Sequence, residues 1–360
     1  MSGQKGLSRR QFLTWASAGL GSYVLYRWFR FPPRDANVRR PRRLGTTFSP
    51  LQCRYLGLDD VETFGAICSL GFDVVRLCSY WRDIEPREGF YTFESLDPFL
   101  SLAQKRGLTV VLTVGMKAPR WPEFHFPPWV EVRYSPHDAS RPLDRDVRLA
   151  ERALRFVRKV VEHARTFSCV RYIQVENEPF SRVEVAGGRH LSPQFVAEEV
   201  ALVRALAPGR KILLTTAINL WPLKRREDER AFRQTLALAD AVGINVYTRV
   251  PLGPKFYLEP LPPYWRTLSR WRREIAASGK EPWIAESQAE PWEYGQLVAT
   301  QKRVYPSSTP QRAVDLAVKL AQLGYGTVLL WGSEYWYWQK RHGYDGWWRA
   351  VRVLAHRGSS

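Results

Sequence analysis

The 360-residue chain is poor in the residue types that build metal centres and disulfide scaffolds. Its four cysteines, Cys53, Cys68, Cys78 and Cys169, follow no zinc or iron–sulfur spacing. Its six histidines form neither a His-x-His nor a His-Glu-x-x-His pattern, so neither a catalytic metal nor another cofactor is expected. No glycine-rich phosphate loop follows an early strand, which argues against a doubly wound nucleotide-binding sheet. Long apolar runs are also missing. The longest uncharged stretch is Gln11–Tyr26, sixteen residues. As a helix it would measure about 24 Å, short of the roughly 30 Å hydrocarbon core of a bilayer. Acids are scarce relative to bases, 35 against 54, leaving a formal charge of +19.

That charge is unevenly spread. Residues 1–43 hold ten Lys/Arg and one acid, while the remaining 317 residues carry 44 bases against 34 acids. A very basic leader therefore precedes a moderately basic globular region, and a nucleic-acid partner is not expected of it. In the leader, Ser8-Arg9-Arg10-Gln11-Phe12-Leu13-Thr14 precedes the uncharged run. This resembles a twin-arginine signal and implies the twin-arginine export machinery as a partner. A periplasmic, extracellular or outer-side membrane-anchored protein is then expected. No clean small-x-small cleavage site follows, so the leader is expected either to be retained, attaching the chain to a membrane, or to be cut at a weak site near Ala16–Ser22. Residues 31–43 read as a Pro/Arg-rich linker. Because such cargo folds in a reducing compartment, the cysteines are expected as buried thiols.

From residue 44 to 360, β-branched runs alternate with amphipathic segments. The strand candidates are 44–48, 72–77, 108–114, 170–176, 211–216, 241–247, 282–286 and 326–331. Helical text lies at 93–106, 147–167, 193–207, 229–239, 264–278 and 310–323. This predicts an α/β fold, a single (β/α)8 barrel with extended βα loops. Function then belongs at the carboxyl ends of the strands.

Several chemistry-bearing residues fall there. The fourth strand ends in Val175-Glu176-Asn177-Glu178-Pro179, and the seventh in Ala285-Glu286. Arg76 ends the second strand, Tyr247 the sixth and Trp331 the eighth. Two carboxyl groups facing each other across a barrel mouth suit glycoside cleavage. One must protonate the leaving oxygen and the other must be ionised to attack the anomeric carbon. Arg76 and Tyr247 are placed to support the ionised partner.

Asn177-Glu178-Pro179 resembles the acid/base motif of clan A glycoside hydrolases, the cellulase, xylanase and β-galactosidase superfamily. Val75-Arg76, Trp81, Glu85-Pro86, Gly89-Phe90-Tyr91-Thr92-Phe93, Leu96-Asp97 and Pro119-x-Trp121 are similar to the same group. The resemblance implies a carbohydrate substrate and a retaining mechanism through a covalent glycosyl-enzyme. It implies Glu178 as acid/base, Glu286 as nucleophile, Asn177 on the substrate 2-hydroxyl and Trp331 as a sugar platform. A transglycosylase using the same pair, or a catalytically silent glycan-binding barrel, is the alternative.

The chain departs from the pattern after Glu286, where Ser287-Gln288-Ala289-Glu290 replaces an early glycine, making Glu290 a rival nucleophile. Glu176 shares the strand parity of Glu178 and is expected to pair with a base such as Arg76. Trp121, His125 and Trp81 are further candidates for contacting sugar, stacking or hydrogen bonding near the mouth.

Overall fold

The computed structural model describes Asn37 and residues 40–134, 139–182, 186–301 and 304–356. The leader and most of the linker lie outside the described residues, as does His137. No helix among the described residues is long and apolar enough to cross a membrane.

Eight parallel strands close into a barrel in sequential order. They are β1 (Arg43–Thr47), β2 (Val74–Cys78), β3 (Thr109–Val114), β4 (Val170–Val175), β5 (Lys211–Ala217), β6 (Ala241–Val246), β7 (Glu281–Gln288) and β8 (Thr327–Trp331). The larger helices are α1 (Asp60–Cys68), α2 (Asp97–Lys105), α3 (Val147–Ala164), α4 (Pro193–Leu206), α5 (Arg225–Leu238), α6 (Pro262–Ala277), α7 (Pro310–Gln322) and α8 (Gly346–Ala355). The chain therefore folds as a (β/α)8 barrel.

Local signals explain the helix starts. Asp59, Asp146, Ser192 and Thr309 each accept a backbone N–H in the first turn of the helix that follows. Pro193 and Pro310 follow two of these caps, where a missing N–H costs nothing. On α3, Leu149, Ala153, Phe156, Val157, Val160, Val161 and Ala164 form one buried stripe at helical spacing. The barrel interior is filled by Val74, Val111, Tyr172, Leu213, Ala241, Trp283 and Leu329. All four cysteines are buried free thiols.

Two irregularities aim the functional side chains. Ile244 on β6 pairs with Ile284, but Asn245 pairs with Glu286, so Ala285 is an extra residue in β7. Such a bulge turns two successive side chains towards one face. Ala285 fills the space beside Gly243, where an added Cβ would lie 2.7 Å away, and Glu286 also faces inward. At the end of β4, Glu176 and Glu178 take φ values of 56° and 45°. These left-handed positions cost about 1–3 kcal/mol each and persist only where surrounding contacts demand them.

Candidate active site

Glu286 is anchored through both of its carboxylate oxygens. Its Oε1 accepts from Arg76 Nη2 at 2.7 Å and its Oε2 from Tyr247 OH at 2.6 Å. Arg76 is fully buried and is itself held by Thr47 Oγ1 at 2.9 Å and Gln174 Oε1 at 3.2 Å. Strands β1, β2, β4, β6 and β7 thus fix one carboxylate between a cation and a hydroxyl.

Glu178 lies in a different environment. It is 7% exposed, and its Oε1 accepts from Asn245 Nδ2 at 2.6 Å. Its backbone N–H donates to Thr215 Oγ1 at 2.8 Å. Burial pushes its carboxyl up to about 7. Lys117 and the Asn245 hydrogen bond oppose the rise, while the charges of Glu123 and Glu286 add to it. Asn245, which donates to Glu178, stands opposite Glu286 in the β6–β7 register. Asn177 lies beside the pair, its Oδ1 accepting from Thr215 Oγ1 at 3.3 Å and Gln174 Nε2 at 3.4 Å.

Sequence reasoning missed four groups here. Lys117, just past β3, lies 3.3 Å from Glu123 and donates to the Glu178 carbonyl at 3.2 Å. Glu123 is a third carboxyl group near the pair, raised first by burial and also by the Glu286 charge. Arg120 bonds Glu290, pairs with Glu334 at 3.1 Å and lies over the Trp331 ring at 4.1 Å. Burial pushes the Glu334 carboxyl up to about 7. Lys117, Arg120 and Glu123 all lie in the loop after β3, where no periodic pattern reveals side-chain direction.

Three expectations need correction. Glu176 does not pair with Arg76: its left-handed backbone breaks the strand alternation and turns its carboxylate onto the N–H groups of Met116, at 2.7 Å, and Lys117. Trp81 is 0% exposed and stacks on Phe156 of α3 at 5.2 Å, so it belongs to the core rather than the mouth. His125 is 2% exposed, packed on Tyr80 and bonded to the Arg120 carbonyl at 3.2 Å. Burial pushes its imidazole down to about 3, so it stands neutral within the wall.

Trp121 is 52% exposed in the loop after β3. Trp292, also exposed, meets the Tyr247 ring nearly edge-on at 5.4 Å, which places an indole beside the nucleophile candidate. Trp331 ends β8 and is buried under Arg120. The rival Glu290 is held by Arg120, whereas Arg76 and Tyr247 hold Glu286.

Residues 60–186 match the profile of a glycoside hydrolase family described as beta-galactosidase. That stretch contains Arg76, Lys117, Glu123, Asn177 and Glu178 and ends well before Glu286. No curated protein matches the chain by sequence. Among solved structures, GH5_18 from Streptomyces cattleya in complex with GlcNAc is similar at 15% identity and a TM-score of 0.61, over 88% of this chain and 80% of that one. The exo-beta-1,4-mannosidase Op5Man5 from Opitutaceae bacterium strain TAV5 is similar at 17% identity and a TM-score of 0.59, over 90% of this chain and 60% of that one. Xylanase 10B from Thermotoga petrophila RKU-1, in complex with xylobiose, is similar at 13% identity and a TM-score of 0.55, over 89% and 98%. At these identities the likeness is one of fold. The profile match covers about a third of the chain and contains Glu178 but not Glu286.

Proposed function

We propose that the chain is a retaining β-glycosidase that cleaves a glycan by double displacement. In this reading Glu286 attacks the anomeric carbon while Glu178 protonates the leaving oxygen. Glu178 then takes a proton from the water that releases the sugar. The observation that carries the reading is the contrast between the two acids. Glu286 accepts from Arg76 and Tyr247. Glu178 has its carboxyl raised to about 7, so it keeps a proton at mildly acidic pH. Asn177 is assigned to the substrate 2-hydroxyl, and Trp292, Trp121 and Trp331 to the walls that hold the sugar rings.

The leader supports a second part of the proposal, that the enzyme works outside the cytoplasm after twin-arginine export. Exchanging Arg9 and Arg10 for Lys should then trap it inside the cell.

The direct test is a panel of aryl β-glucosides, galactosides, mannosides and xylosides, with the anomer of the product followed by NMR. Hydrolysis with retention is expected. Turnover with inversion would reject double displacement. Binding without turnover across the panel and across polysaccharides would favour a silent glycan-binding barrel.

A further inference from the structure

We propose that Glu176 and Glu199 share a single proton, and that this buried carboxyl pair is the positioning device that holds Asn177 and Glu178 in the barrel mouth. Glu199 projects from α4 and is fully buried. Among the described residues, neither of its oxygens meets an N–H or O–H donor. The group within hydrogen-bonding reach is the carboxyl of Glu176. Both Glu176 oxygens already accept backbone N–H groups, from Met116 and Lys117. Two ionised carboxylates in contact, without solvent, would repel strongly. One proton removes the conflict, and Glu199 is the member that must carry it. Glu176 has two donors to satisfy its charge, and Glu199 has none. Glu199 O–H then donates to Glu176.

The consequence for the site follows from the backbone. Glu176 N–H donates to the Val114 carbonyl at 2.8 Å and Asn177 N–H to the Lys117 carbonyl at 2.7 Å. With the two side-chain bonds, four hydrogen bonds clamp the end of β4 onto the end of β3. Gly115 admits the clamp: it has φ of 116°, and an added Cβ would lie 2.3 Å from Glu176 Oε1. The clamp is what sustains the left-handed backbone at Glu176 and Glu178. Glu199 locks it from behind, without touching the reacting atoms.

The charged groups facing the pair are Lys117 past β3, Asp144 in the turn before α3 and Glu198 on α4. Asp144 and Glu198 add to the rise of Glu199, and Lys117 eases that of Glu176. Burial comes first for both: it holds Glu199 well above the usual carboxyl range and pushes Glu176 up to about 7.

The test compares Glu199→Gln with Glu199→Leu in the full chain. The glutamine amide donates the same hydrogen bond but cannot titrate. Folded wild type must keep a proton that the unfolded chain releases above about pH 4.3, so wild type loses stability as pH rises from there. The Tm of Glu199→Gln minus that of wild type should therefore climb between pH 4.5 and 8. A difference that stays flat with pH would overturn the shared proton, whatever the enzyme cleaves. Glu199→Leu lacks the donor and should lose about tenfold or more in kcat with little change in KM, while Glu199→Gln should restore kcat to within about threefold. Equal kcat in the two variants would overturn the positioning role. If Glu199→Leu does not fold, the pH dependence of the Gln variant and its retained kcat still decide. The kinetic arm rests on the glycosidase reading and the thermal arm does not. Absent turnover in wild type would thus count against that reading alone.

Discussion

Arg76 on β2 reaches past β1 and β8 to Glu286 on β7, its Nη2 2.7 Å from the carboxylate Oε1, with both side chains buried. Removing one partner of such a pair leaves an uncompensated charge in the interior. Arg76→Met should destabilise the fold by about 3–5 kcal/mol in denaturant titration. Adding Glu286→Gln to that variant should recover a large part of the loss, because no buried charge is then left alone. An additive double mutant would show that the two groups do not interact.

Tyr247 offers a milder perturbation of the same carboxylate. Tyr247→Phe removes one hydrogen bond to a charged acceptor, worth about 1.5–3 kcal/mol. If that bond matters in the transition state, kcat/KM should fall about 10- to 100-fold. Circular dichroism should show an intact fold. Unchanged kinetics would remove Tyr247 from the machinery.

The pH profile reports on Glu178. On the proposed reading, with Glu178 as the acid, its raised carboxyl predicts an alkaline limb of kcat/KM near pH 7, since an acid must be protonated to act. Lys117 opposes the rise and Glu123 adds to it. Lys117→Met should therefore move the limb to higher pH, and Glu123→Gln to lower pH. Shifts of the opposite sign would mean that the limb belongs to another group.

The tryptophans divide by burial. Trp81→Ala should cost about 3–5 kcal/mol of stability, as expected for emptying a core site. Trp121→Ala should leave stability within about 0.5 kcal/mol and raise KM for an oligosaccharide more than for a small aryl glycoside. Equal KM effects on both substrates would place Trp121 outside the binding track.

Much of the scaffold was legible in the chain itself. Each β-branched run became a strand within about two residues of its expected limits, because buried parallel strands write their identity into continuous apolar text. Glu178, Glu286, Arg76 and Tyr247 were legible because each stands in or just after such a run, although Arg76 lies mid-β2, Glu286 two residues before the end of β7 and Glu178 three residues past β4. The short helix at Pro50–Leu56, α1 and the Ser333–Arg341 helix were not anticipated, and Glu176 was misdirected. Simple alternation fails where a left-handed residue turns the strand end, and nothing in the local residue types announces that turn. The bulge at Ala285 is hidden in the same way, since its effect depends on register with β6 and β8. Lys117, Glu123 and Arg120 converge through a loop, so their meeting with residues far along the chain has no local signature.

The most direct test of the account is covalent trapping with activated 2-deoxy-2-fluoro glycosides of the sugar that wild type hydrolyses, followed by peptide mapping. The prediction is a single glycosyl adduct on Glu286, formed slowly in wild type and not in Glu286→Gly. An adduct on Glu290 or Glu123 would contradict it, as would normal turnover with an inverted product and no adduct.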